Sequence, residues 1–140
     1  MNSELDVMAF GAHPDDVEIG MGGSVALMVS QGLRVGIVDL TNGEPTPFGS
    51  VEERLSESRC AAEELNVNVR ITLDLPNRYL QDTIEARTRV AEVIRLYRPR
   101  IIFIPYWVDA HPDHVAASQI CEAARFYAKL TKTDMKGEPH

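Results

Sequence analysis

The sequence predicts an α/β fold, a three-layer α/β/α sandwich on a mostly parallel sheet. Apolar, β-branched runs alternate along the chain with stretches of helical periodicity. Two of those runs, "VGIVDL" and "IIFIP", are apolar on consecutive positions, the pattern of strands covered on both faces. Helix start and stop residues fall between the runs. A β-α-β-α-β-α-β-α order needs right-handed crossovers between parallel strands, which gives a Rossmann-like arrangement.

Taken in order, a first strand is predicted over Asp6–Ala12 and a first helix over Val17–Gln31, with Gly32 placed to end it. The second strand, Arg34–Leu40, leads through the loop "TNGEPTPFGS" to a helix over Val51–Leu65. Ser50 and Glu53 have the spacing of a capping box at its start. The third strand, Val69–Leu75, precedes a helix over Ile84–Tyr97, started by the similar pair Asp82 and Glu85 and stopped ahead of Pro99. The fourth strand, Ile101–Pro105, precedes a helix over His114–Ala128. No solenoid repeat or low-complexity segment interrupts the series.

Length and charge narrow the function. A chain of 140 residues with 44% hydrophobic and 25% charged side chains makes one domain with its own core, residues 1–140. Its net charge of −7 argues against a general nucleic-acid or anionic-membrane surface, since both need a basic face. A small anionic substrate held by one or two arginines stays possible. Apolar runs fall far short of the roughly 20 residues that span a bilayer. "MNSELDVMAF" lacks the basic and apolar regions of a signal peptide. Cys60 and Cys121 lie far apart in predicted helices, so a reduced, cytoplasmic protein is expected.

Topology points to one place for chemistry. In the strand order 3-2-1-4, strands one and four are neighbours whose crossovers leave on opposite faces, and ligands bind beyond their carboxyl ends. "AHPDD" directly follows strand one, and "DAHPDH" shortly follows strand four. Two histidine-bearing loops about a hundred residues apart are therefore expected to face each other. Proline stiffens each loop and keeps the preceding histidine extended.

Imidazole nitrogen with carboxylate oxygen suits zinc, and iron(II) accepts the same donors. Two histidines and one carboxylate are available as His13, Asp16 and His114, leaving Asp15 and His111 beside a metal but off it. Such a metal acidifies a water, a neighbouring carboxylate takes the proton, and a protonated histidine opposite stabilises an oxyanion or protonates a leaving amine. The plainer alternatives are an N-cap role for Asp15 or Asp16, and a simple turn at "HPDH".

At these residues the sequence resembles the LmbE-like (PIG-L-type) zinc-dependent N-acetylglucosaminyl de-N-acetylases. The resemblance rests on "AHPDDVEIGMGG" at 12 to 23, "DLTNGE" at 39 to 44, Arg54 and Glu57 of "ERLSES", and "DAHPDH" at 109 to 114. It implies zinc on His13, Asp16 and His114, with Asp15 as general base. It further implies that His111 polarises the acetyl carbonyl and assists departure of the amine, oriented by Asp113. Arg54 would line the substrate pocket. The sequence looks most similar to the branch that includes the bacillithiol-pathway deacetylase, whose substrate is N-acetylglucosaminyl malate. The Arg54 fork suits such a carboxylate. Members of the family run on beyond the point where this chain stops, at "DMKGEPH". That further portion would add strands, pocket wall and the contacts of a homo-oligomer.

Other features are weighed beside these. Gly20, Gly22 and Gly23 are read as tight helix-on-strand contact, and no G-x-G-x-x-G fingerprint follows strand one. Asp39 is read as a turn or supporting residue. Asn42 and Glu44 are candidate pocket residues, Tyr106 and Trp107 either wall a sugar site or pack under the loop, and Cys121 is core. Three rival functions use the same residues: another metallohydrolase reaction such as phosphoester hydrolysis, a non-catalytic metal- or nucleotide-binding module, and a truncated inactive paralogue.

Overall fold

A computed structural model describes residues 4–44 and 46–140. The strands are β1 (Val7–Gly11), β2 (Val35–Thr41), β3 (Val69–Leu75) and β4 (Ile101–Phe103). The helices are α1 (Asp16–Ser30), α2 (Val51–Glu64), α3 (Ile84–Tyr97) and α4 (Pro112–Tyr127). The sheet order is β3-β2-β1-β4, every pairing is parallel, and Val7 lies opposite Val35 on one side and Ile101 on the other. The predicted α/β sandwich is the observed one.

Alternation along the two central strands builds two cores. Val7, Ala9, Val35 and Ile37 face Val17 and Val25 of α1. Met8, Phe10, Val38 and Leu40 face the opposite layer, where Val90 and Ile94 of α3 meet Ile120 and Cys121 of α4. Burial pushes the Cys121 thiol well above its ordinary range, consistent with a core role. The chain leaves β1 on the α1 side and returns to β4 on the α3 side, so the segments after β1 and β4 converge at the carboxyl edge of the sheet.

Four expectations are corrected. β4 ends at Phe103, and Ile101 and Phe103 are 54% and 42% exposed, so "IIFIP" is not covered on both faces. Thr83, not Asp82, caps α3 by accepting from the Ala86 amide, while Asp82 pairs with Arg87. Helix α4 starts two residues early because Pro112, its φ preset, occupies the first turn behind His111 at the N-cap. Nothing lies within 4 Å of a Cβ built at Gly20 or Gly23, so those glycines do not mediate tight strand contact. Gly20 and Gly22 flank a kink at Met21, whose φ of −150° breaks the helix.

Candidate metal centre and its pocket

The strongest local feature is the turn between β1 and α1. Asp15 sits at the N-cap of α1 with φ 144°, a left-handed value rarely adopted by a residue with a side chain, and its carboxylate makes no capping bond. Capping therefore does not account for Asp15. Asp16 turns back instead, its Oδ2 accepting from the His13 amide at 2.8 Å. The half-exposed Asp15 carboxylate faces Arg54 of α2, with Nη2 3.6 Å from its Oδ1 and 3.4 Å from the Pro14 carbonyl. Partial burial raises the Asp15 carboxyl above its ordinary range, against the pull of Arg54.

The fold brings the second loop against the first. Rings of His13, His111 and His114 lie in mutual contact, with centroids 4.8 to 5.3 Å apart. His13 Nδ1 is 3.3 Å and His114 Nε2 is 3.2 Å from the same Asp16 oxygen. A tetrahedral zinc with bonds of about 2.0–2.1 Å separates neighbouring donors by roughly 3.3 Å, so these three residues fit a divalent ion. The donor set also fits on chemical grounds, two imidazoles and one carboxylate leaving a further coordination position.

A second cluster, His13 with His111 and Asp113, also has its donor atoms within 4.8 Å of one another. There His13 Nε2 and Asp113 Oδ2 are 2.8 Å apart, a direct hydrogen bond with no space for an ion between them. Asp113 is instead a buried anchor, accepting from that ring and from the Arg78 and Leu80 amides at 2.8 and 3.2 Å. Its carboxylate does not touch His111. Its backbone amide does, donating to His111 Nδ1 at 3.1 Å. The neutral His111 ring consequently carries its proton on Nε2, available as a donor.

The electrostatics follow these contacts. Burial would lower the His13 pKa, but hydrogen bonds to Asp16 and Asp113 override it and raise the ring above 6.5. Burial likewise opposes ionisation of Asp16 and Asp113, yet their donors hold both below the ordinary carboxylate range.

Two cavities flank the three donors. One, of about 500 Å³, is lined by the charged side chains of Asp15, Glu18, Glu53, Arg54 and Glu57 together with Phe48. The other, of about 450 Å³, runs from Asp16 and His114 past Phe103 to Tyr106. Tyr106 and Trp107 are exposed with ring centroids 4.2 Å apart, so they are not packed beneath the loop. Gly43, at φ 75°, lets the Arg54 guanidinium lie against the backbone: a Cβ there would stand 2.8 Å from its Cζ.

Asn42 is not drawn to the donors; its Oδ1 accepts from the Glu44 amide and shapes the loop. Pro45 of that loop lies outside the described residues.

Several participants escaped the sequence reading. Arg78 and Leu80 act only through backbone amides, which carry no residue signature. Asp109 lay inside a quoted motif without a role, and its carboxylate reaches both the His111 amide and His114 Nδ1. Arg70 of β3 grips the fully buried Asp39 with two nitrogens, at 2.9 and 3.0 Å, and also bonds Glu18 of α1. Burial pushes the Asp39 carboxyl up to about 6 in spite of Arg70. Asp39 thus supports α1 and lines no turn.

Residues 8–125 match the family model PIG-L, described as GlcNAc-PI de-N-acetylase. Diacetylchitobiose deacetylase of Thermococcus kodakarensis is 33% identical over 123 residues, which cover 81% of this chain and 46% of that protein. The crystal structure of the conserved protein TT1542 from Thermus thermophilus superimposes with a TM-score of 0.92 at 42% identity, covering 96% of this chain and 61% of that one. The 4-carboxy-2-hydroxymuconate hydratase GalB from Pseudomonas putida KT2440 gives a TM-score of 0.78 at 25% identity, covering 95% and 62%. The chain thus spans less than two thirds of each of these relatives.

Proposed function

The chain belongs to the PIG-L, GlcNAc-PI de-N-acetylase family, and from that premise we propose that its two histidine loops form a metal-dependent N-deacetylase centre. A hydratase shares the fold, so the reaction is argued from the site. The observation that carries it is the pair of imidazole nitrogens, His114 Nε2 and His13 Nδ1, at 3.2 and 3.3 Å from one Asp16 oxygen, with the His111 ring against that of His13.

His13, Asp16 and His114 would hold zinc or iron(II), which when bound supplies Lewis acidity and an acidified water. Asp15 would take a proton from the attacking water, a role supported by its raised pKa, which brings it nearer to working pH. The Nε2–H of His111 donates to the developing oxyanion and then supports departure of the amine. Water and the amide give acetate and a free amine, with no covalent enzyme intermediate. Arg54, held between Asp15 and Gly43, receives the polar part of the substrate. An N-acetylglucosamine-containing small molecule is the substrate class, and Arg54 favours an anionic aglycone such as the malate of N-acetylglucosaminyl malate. The exposed Tyr106 and Trp107 add a stacking surface for a sugar ring.

Release of free amine from N-acetylglucosaminides by the zinc-loaded chain tests this reading. Turnover in the parent and its loss in Asp15→Ala, with metal retained, is expected. A chain that binds zinc yet releases no amine from any N-acetylglucosaminide is a binding module, and the catalytic reading is then wrong.

A further inference from the structure

The geometry points to Asp109 as the positioning residue of the second histidine loop: one carboxylate fixes both His111 and His114. Its Oδ1 accepts from the His111 amide at 2.7 Å, and its Oδ2 lies 3.0 Å from His114 Nδ1. The first loop has a counterpart. There Asp113 takes His13 Nε2 and leaves Nδ1 facing Asp16. In both histidines a carboxylate occupies one ring nitrogen and leaves the other toward the shared Asp16 oxygen.

The chemistry of imidazole explains why this matters. A neutral ring offers a lone pair at one nitrogen only when its proton sits on the other, and the partner of that other nitrogen decides which tautomer exists. The Asp109 carboxylate accepts a hydrogen bond from Nδ1–H, so the lone pair of His114 is presented at Nε2, 3.2 Å from Asp16 Oδ2. His13 is buried and anchored by Asp113, whereas His114 is only partly buried. Asp109 is the one side chain among the described residues that holds His114 from the side away from Asp16. The bond to the His111 amide gives the same carboxylate a second task, since it sets the turn that starts α4.

This inference rests on the metal reading above, and it is tested by zinc affinity rather than turnover. In Asp109→Asn the amide still fills the space, but its NH2 group can donate to Nδ1 and select the wrong tautomer. Zinc dissociation constants are measured by competition with a chromophoric chelator for the parent, Asp109→Asn and the exposed control Glu122→Gln, with folding followed by circular dichroism. Loss of such a partner weakens metal binding about 10- to 100-fold, and that loss is expected in Asp109→Asn alone. Long-range proton–nitrogen NMR on the zinc-loaded parent, which needs no variant to fold, is expected to show the His114 proton on Nδ1. Equal affinity in Asp109→Asn and parent, or zinc on His114 Nδ1, overturns the assignment while leaving the metal site standing. No zinc uptake by the parent overturns the metal reading itself, and this inference with it.

Discussion

His13 Nε2 lies 2.8 Å from Asp113 Oδ2, joining residues one hundred positions apart in a buried contact. It is the junction of the site. Asp113 also holds the loop after β3 through the Arg78 and Leu80 amides, so one carboxylate joins three segments: the first histidine loop, the loop after β3 and the start of α4.

Replacing Asp113 with alanine strands two amides and a ring nitrogen in a buried space. A loss of about 3–5 kcal/mol is expected from removing one partner of a buried charged network. Urea unfolding checks it. A midpoint within error of the parent would mean that the anchor is not used.

Asp15 has a backbone conformation that costs roughly 1–3 kcal/mol for a residue with a side chain. Asp15→Gly should therefore match or exceed the parent in thermal stability while losing turnover by about 10²- to 10⁴-fold, the range for a general base. His114→Ala, by contrast, should lose the metal. Elemental analysis and kcat on the three proteins separate the roles.

The metal-free chain should be most stable in mildly acidic solution. Raised in the fold, His13 adds stability that is present below 6.5 and fades as pH climbs through its higher folded value. Asp16 and Asp113, lowered in the fold, add stability present above 3.8 and lost as pH falls. The optimum of these groups thus lies between 3.8 and 6.5. On the proposed ligand set a bound zinc would need neutral His13, so its added stabilisation should grow with rising pH. Melting curves with and without zinc, from mildly acidic to mildly alkaline solution, test both slopes. A zinc effect independent of pH would contradict the ligand assignment.

Arg70 holds two carboxylates, Asp39 and Glu18, beneath the first turns of α1. Arg70→Met leaves both without their cation and should cost about 3–5 kcal/mol. Adding Asp39→Asn should recover part of that loss. If the double variant is as unstable as the sum of the two single ones, the pair does not interact as the structure places it.

Gly43→Ala puts a methyl group into the Arg54 guanidinium at a positive φ. A higher KM at nearly constant kcat is expected, because Arg54 is displaced while the histidine loops are not. A fall in kcat alone would place Arg54 in the chemical step.

Much of this was legible in the chain. Strand periodicity gave the β3-β2-β1-β4 sheet, since alternating apolar runs and helices admit few parallel topologies. The two His-Pro-Asp sequences marked the loops, because proline-stiffened imidazole and carboxylate groups have few structural uses. The capping box of Ser50 and Glu53 formed as the spacing implies. Edge exposure at Ile101 and Phe103 was not legible, because an apolar run reads the same whether or not a layer covers it.

What the sequence by itself determined is the inventory: an α/β domain, two stiff loops at strand ends, and the donor types they carry. What only the tertiary structure decided is the pairing. It sends the Asp113 carboxylate to His13, leaves only its backbone amide to His111, and sets Arg70 against Asp39 and Glu18. It also singles out Asp109, which reaches two histidines at once. The reason is physical. Residue type and local spacing fix backbone preference within a few positions, whereas the partner of a side chain depends on distances between segments that touch only after the sheet has formed.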